Sequence, residues 1–107
     1  MTEGVFRVVL PEGARADLKR LLRHAVLQAR RAEDVARSRT VLLALREQIA
    51  QRLSRTPDLY RHAAGHMHLR ELVVSGAGGG YIALYDITDS RQVTVIAVRH
   101  QLEDDYL

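Results

Sequence analysis

The amino-acid sequence predicts an α+β fold with the element order β-α-α-β-β-β, in which a helical hairpin packs on one face of a mainly antiparallel four-stranded sheet. Residues 14–55 carry apolar side chains at helical spacing, and residues 69–99 form three strand-like runs separated by short polar turns. Consecutive strands joined by short turns form an antiparallel meander, and a pair of amphipathic helices needs a sheet to cover its apolar stripes. We expect a single domain over residues 1–107.

The N-terminal half begins with a strand and continues with two helices. Val5 to Leu10 is rich in valine and ends at Pro11, which is typical of a short strand. Two apolar stripes follow, one formed by Leu18, Leu22, Ala25 and Ala29, the other by Leu42, Leu45, Ile49 and Leu53. A continuous helix over residues 14–55 would be roughly 63 Å long, whereas a domain of this size has a radius of gyration of about 13 Å. We therefore expect a hairpin that breaks at residues 31–34, where Glu33 or Asp34 satisfies the exposed amides of the second helix.

The C-terminal half carries the meander. A polar connection over residues 58–68 leads to three predicted strands, at residues 69–74, 81–87 and 92–99. The third run is almost continuously apolar, which favours a strand that is buried on both faces or central in the sheet. The expected core joins this strand to the helical stripes and contains Leu18, Leu22, Leu42, Leu45 and Ile49, together with Val95 or Val98.

Composition excludes several classes of protein. The chain has no cysteine, so disulfides and cysteine-ligated zinc sites are excluded. Its first ten residues lack the basic region and the long apolar run of a signal peptide. No window approaches the roughly 20 apolar residues of a membrane span. We therefore expect a cytoplasmic protein that does not bind membranes.

Charge is distributed unevenly along the chain. Between Arg15 and Arg61 basic residues greatly outnumber acidic ones, whereas the C-terminal segment carries Glu103, Asp104 and Asp105. A basic segment of this kind suits nucleic acid or an acidic protein partner. Taken alone, however, the composition favours a solvated helical face that contacts neither.

Several short motifs resemble the toxins of the RelE/ParE superfamily, which act in type II toxin–antitoxin systems and plasmid stabilisation. The motifs occur in the family's order and extend over nearly the whole chain. They are the segment Pro11 to Leu18 after the first strand, Arg70-Glu71-Leu72, the run Tyr81 to Tyr85, and Val98-Arg99-His100-Gln101 followed by acidic residues and Tyr106.

This resemblance implies a toxin held inactive by a cognate antitoxin, in a toxin–antitoxin hetero-oligomer, but it leaves the target open. Members similar to RelE are ribosome-dependent mRNA endoribonucleases, or mRNA interferases. Members similar to ParE inhibit DNA gyrase and are not known to need a catalytic residue set. Because a fold does not determine function, the target has to be argued from the site.

Four residues are candidates for catalysis if the protein cleaves RNA. His100 is a candidate general acid or base, Arg99 and Arg70 are candidates for holding the phosphate, and Tyr106 is a candidate proton donor or stacking group. The chain departs from the RelE-like pattern, because Lys19 is its single lysine and it lacks a terminal His-Tyr pair. The alternative for Arg99 and His100 is a structural strand end, with Arg99 pairing with Glu71 or the acidic tail.

We therefore interpret the chain as a ParE-like inhibitor that acts by binding DNA gyrase. The alternatives are a RelE-like endoribonuclease that binds ribosome and mRNA, and a degenerate, non-toxic family member. His62, His66 and His68 lie in the polar connection and are interpreted as exposed loop histidines, because a metal site needs three or four convergent ligands. The glycine-rich segment over residues 75–80 lacks the Lys-Ser/Thr of a phosphate-binding loop. We expect neither metal nor cofactor.

Overall fold

The computed structural model describes residues 5–76, 79–89 and 91–103. The predicted order of elements is confirmed, with one short strand added between the helices and the meander. The elements are β1 (Arg7–Val9), α1 (Glu12–Gln28), α2 (Ala32–Arg55), β2 (His62–Ala63), β3 (His66–Gly76), β4 (Gly79–Asp89) and β5 (Gln92–His100).

The strands form one mixed sheet in the order β1-β5-β4-β3-β2. The three long strands pair antiparallel as predicted, and β1 pairs parallel with β5. The prediction of four strands was wrong by one, because β2 is a two-residue strand paired with the start of β3. So short a strand carries no alternation that a sequence pattern can detect. β3 begins at His66, ahead of the predicted start at residue 69, because its first residue pairs with Ala63 of β2.

The helical hairpin is confirmed, with a small correction at its turn. α1 ends at Gln28 and α2 starts at Ala32, so the break precedes most of the predicted interval. The expected capping by Glu33 or Asp34 does not occur, since no side chain caps the first amides of α2. Asp34 instead accepts a hydrogen bond from Arg37, at 3.3 Å. Both acidic residues still lie in the first turn, where the helix dipole favours negative charge.

The core lies between the helices and one face of the sheet. Leu42, Leu45 and Ile49 are buried there against Val95 and Val98, as predicted. Leu18 and Leu22 are only partly buried against this core. The most buried α1 side chains are Ala14 and Leu21, so the helix is rotated slightly from the stripe that the sequence pattern favoured. In the described part of the chain, no helix is long and apolar enough to cross a membrane.

The connection between α2 and β2 is held against the sheet by two side chains. The hydroxyl of Tyr85, which is buried, donates a hydrogen bond to the carbonyl of Pro57. Arg70 donates to the carbonyls of Tyr60, at 2.6 Å, and Asp58, at 3.3 Å. Burial raises the pKa of Tyr85 far above its usual value, so its hydroxyl remains a donor at any physiological pH.

Candidate functional site

His100 ends β5, and its imidazole is built into the turn that follows. Its Nδ1 accepts a hydrogen bond from the amide of Leu102 at 3.1 Å. Its ring meets Tyr81 edge-on, with the ring centroids 5.1 Å apart. Its Nε2 faces the β3–β4 hairpin, since a Cβ added to Gly79 would lie 2.9 Å from this nitrogen. In this arrangement Nδ1 is engaged as a hydrogen-bond acceptor within the turn.

The side chain of Arg99 also binds the turn that follows β5. Its Nη1 donates to the carbonyls of His100 at 3.3 Å and Gln101 at 3.4 Å, and to that of Glu103. The sequence suggested that Arg99 pairs with Glu71. The carboxylate of Glu71 instead forms an ion pair with Arg61 at 3.0 Å. Arg99 therefore holds the backbone of the turn that follows β5.

Arg70, the second candidate phosphate ligand, lies away from His100. It is opposite Tyr85 in the sheet, whereas His100 is opposite Tyr81. The two positions are four residues apart along β4, or about 13 Å, and two strands apart, or about 9.6 Å. The side chain of Arg70 is also engaged with the connection before β2. Tyr106 lies outside the described residues. Among the described candidates for RNA cleavage, Arg70 is thus separated from Arg99 and His100, which both contact the turn after β5.

Glu103 anchors the turn on the helical hairpin. Its Oε1 accepts from the amide of His100 and from Nη1 of Arg20, both at 3.1 Å. Burial would raise the pKa of Glu103, but these hydrogen bonds and the charge of Arg20 outweigh it, so the pKa lies below its usual value. The carboxylate is therefore ionised at neutral pH and fixes the position of the turn.

A groove of about 730 Å³ lies between this turn, α1 and α2. Its apolar lining includes Leu21, Val41, Leu42 and Tyr81. Its polar lining includes Arg20, which forms an ion pair with Glu103, and Arg37, which forms an ion pair with Asp34. Leu102, which is 85% exposed, forms part of the wall. An apolar groove with arginines in its lining suits an amphipathic protein segment with acidic residues.

The three histidines of the predicted polar connection are in strands and not in a loop. His62 belongs to β2, and His66 and His68 belong to β3. All three are exposed, as expected. Within residues 5–76, 79–89 and 91–103 no group of three or more histidine and carboxylate side chains is placed to hold a metal ion. Of the glycine-rich segment, residues 75–76 end β3 and residues 79–80 begin β4, and residues 77–78 are outside the described ranges.

Sequence reasoning missed the residues that join α1 to β5. Asp17 and Arg20 both reach Val98, Asp17 accepting from its amide at 2.8 Å and Arg20 donating to its carbonyl at 3.4 Å. Nothing in the local pattern distinguishes these two residues from other charged residues on a solvated helix face. The groove was missed for a similar reason, because its lining comes from segments far apart in the sequence.

The fold is thus a mixed sheet covered on one face by a helical hairpin, with the last strand ending in a structured turn. Residues 8–105 match the family model described as the ParE toxin of type II toxin-antitoxin system, parDE. Since this match spans most of the chain, the protein belongs to the ParE toxin family.

The fold has a counterpart among solved structures. A chain from the "Chromosomal ParDE TA system from P. aeruginosa" superposes with a TM-score of 0.72 at 12% sequence identity, over 92% of this chain and 98% of that one. At this identity the similarity shows the fold alone. Comparison with curated protein sequences gave no match.

Proposed function

We propose that this protein is the toxin of a type II toxin–antitoxin pair, that it inhibits DNA gyrase by binding it, and that a cognate antitoxin neutralises it. The observation that carries the proposal is the match of residues 8–105 to the ParE toxin family. The dispersed positions of Arg70 and His100 support a binding mechanism over RNA cleavage. General acid–base catalysis needs its groups within hydrogen-bonding reach of one reacting centre.

The groove supports the antitoxin half of the proposal. Its apolar side chains would receive the apolar face of a partner segment, and Arg37, whose ion pair with Asp34 is exposed to solvent, would meet that segment's acidic residues. A segment disordered in the free antitoxin would order on binding here. We therefore propose that an acidic, amphipathic segment of the antitoxin binds between the two helices and the turn after β5.

A gyrase assay tests the proposal directly. Purified toxin is added to gyrase and relaxed plasmid, and supercoiling is followed with and without the protein encoded by the adjacent gene. Inhibition that this second protein relieves is the expected result. Unimpaired supercoiling at a large excess of folded toxin would overturn the gyrase target. Cutting of mRNA on translating ribosomes would show that the protein has the RelE-like endoribonuclease activity instead.

A separate experiment tests whether the protein is toxic at all. The chain is induced alone in bacteria, and DNA damage and translation arrest are timed. Early DNA damage is expected from gyrase inhibition, whereas early translation arrest would indicate a ribosomal target. Normal growth with soluble, folded protein would identify a degenerate member of the family.

A further inference from the structure

The exposed side of α1 carries a straight row of cations. Arg15, Lys19 and Arg23 follow one another at intervals of four residues, and all three are exposed. Side chains at this interval lie on one face of a helix, about 6 Å apart along its axis. The three cations therefore span about 12 Å. We call these three residues the α1 basic row.

The fold makes no visible use of this row. None of the ion pairs found among the described residues includes Arg15, Lys19 or Arg23. Like charges at this spacing destabilise a helix by roughly 0.2–0.5 kcal/mol per pair. Arg15 also lies in the first turn of α1, where the helix dipole disfavours positive charge. The row therefore destabilises the helix, and no described carboxylate neutralises it. These two observations point to an external anionic partner.

The row is separate from the groove that we assign to the antitoxin. The groove residues of α1 include Arg20, His24 and Gln28, which form a neighbouring row displaced by one residue. One residue corresponds to a rotation of about 100° around the helix. A segment seated in the groove would thus leave the α1 basic row facing another direction. The row also contains no apolar side chain that a protein partner would bury.

We infer that the α1 basic row binds the phosphate backbone of duplex DNA. Phosphates are anions regularly spaced along a duplex, at a rise of about 3.4 Å per nucleotide of one strand, so the row covers roughly three to four base pairs. Single strands are usually held by stacking on aromatic side chains, and the row has none. The choice of DNA over other duplexes rests on the proposed function, because gyrase works on duplex DNA.

Salt dependence measures the contribution of the row. Each phosphate neutralised adds about 0.9 to the slope of log affinity against log salt, so three contacts add about 2.7. Between about 50 and 200 mM salt, this slope corresponds to a loss of about 40-fold in affinity. The test uses the full-length chain, a labelled duplex DNA of about 20 base pairs and fluorescence anisotropy. It compares the wild type with the triple variant Arg15→Gln, Lys19→Gln, Arg23→Gln.

The triple variant should bind DNA more weakly at low salt and lose about 2.7 from the slope. A matched control replaces three exposed arginines outside α1, namely Arg7, Arg55 and Arg91, and removes the same charge. This control should keep most of the wild-type slope. Equal slopes in the wild type and the α1 variant, or equal losses in both variants, would overturn the inference.

Two further measurements separate the rival partners. An RNA duplex of the same sequence that binds tenfold tighter than DNA would overturn the choice of DNA. Antitoxin affinity that falls in the triple variant while DNA affinity stays unchanged would assign the row to an acidic protein segment. Because the DNA measurement contains no gyrase, a failed DNA result leaves the gyrase proposal standing. Supercoiling that is unaffected by a DNA-binding toxin refutes only the gyrase proposal.

Discussion

The carboxylate of Asp17 accepts a hydrogen bond from the backbone amide of Val98 at 2.8 Å, and so ties α1 to the last strand. β1 pairs with β5 only as far as Thr94, opposite Val9. Beyond that point the outer edge of β5 has no strand beside it among the described residues. Asp17 and Arg20 supply the missing acceptor and donor at Val98. A side-chain pair thus takes the place of a strand and protects an edge that would otherwise invite pairing with another chain.

Replacing Asp17 with alanine should therefore destabilise the protein by about 1–3 kcal/mol, because the amide of Val98 loses a charged acceptor in a partly buried position. Denaturant unfolding followed by circular dichroism measures this change. Glu47→Ala is the matched control, since Glu47 is an exposed carboxylate on α2, and its effect should stay within about 0.5 kcal/mol. Similar values for the two variants would show that the bond to Val98 contributes nothing.

Leu45 tests the placement of the helical hairpin. Its side chain is 3% exposed, so Leu45→Ala should lower the free energy of unfolding by about 2–5 kcal/mol. Leu43, two residues earlier on the same helix, is 64% exposed, and Leu43→Ala should change stability by less than about 0.5 kcal/mol. Thermal or chemical unfolding of both variants checks the difference. The packing described here would be wrong if Leu43→Ala were the more damaging change.

Leu102 tests the groove as the antitoxin site. It is 85% exposed and lines the groove, so Leu102→Glu should leave stability nearly unchanged. The new carboxylate would repel an acidic segment, and antitoxin affinity should fall roughly tenfold, or about 1.4 kcal/mol. Leu59→Glu is the control, because Leu59 is 72% exposed and does not line the groove. Calorimetric titration that found equal affinities for the two variants would place the antitoxin elsewhere.

His100 separates binding from catalysis. If the protein acts by binding, His100→Ala should weaken toxicity only in part, whereas the loss of a general acid or base typically lowers a rate by 10²–10⁴. Growth inhibition after induction measures toxicity. Because His100 accepts a hydrogen bond from the amide of Leu102, its loss can lower stability. The melting temperature of the variant therefore has to be compared with that of the wild type first. Truncation after Gln101 should lower toxicity further, and because it also removes the Glu103 anchor, the melting temperature of the truncated chain has to be compared with the wild type as well.

The opposite result for His100 would be equally clear. A well-folded His100→Ala variant that lost both toxicity and mRNA cutting on ribosomes would support the endoribonuclease. The binding mechanism proposed here would then be wrong.

The lowered pKa of Glu103 determines the direction in which the stability of the protein should change with pH. Its pKa in the folded protein lies below the ordinary 4.5, so it contributes stability that is present above that value. This contribution is lost as pH falls through the lower, folded-state pKa. Glu103→Gln should therefore reduce stability at neutral pH, and its difference from the wild type should shrink as the solution is acidified below 4.5. Unfolding at a series of pH values checks this. A difference that grew in acid would contradict the assigned direction.

Periodic patterns predicted most of the fold. Leu42, Leu45 and Ile49 are buried because their spacing places them on one side of a long helix, and the nearly continuous apolar run of β5 belongs to an interior strand, between β1 and β4. What could not be predicted depends on contacts between distant segments. β2 exists only through its pairing with β3, and Asp17 acquires its role only when α1 lies beside Val98.

The candidate site was less predictable than the fold for the same reason. Arg70 and His100 carry suitable chemistry in the sequence, but register sets them apart on either side of β4. Residue type alone contains no information on register. The groove likewise combines α1, α2 and the turn after His100, whose proximity follows from the packed fold.

The parallel pairing of β1 with β5 joins the first strand to be synthesised with the last, since Arg7 lies opposite Gln92. During translation β1 has no strand partner until the ribosome has made nearly all of the chain. A product that stops before Gln92 lacks the strand that pairs with both β1 and β4 and that supplies Val93, Val95 and Val98 to the core. Prematurely terminated chains therefore cannot complete the domain. Only a chain that extends through β5 can form the folded domain.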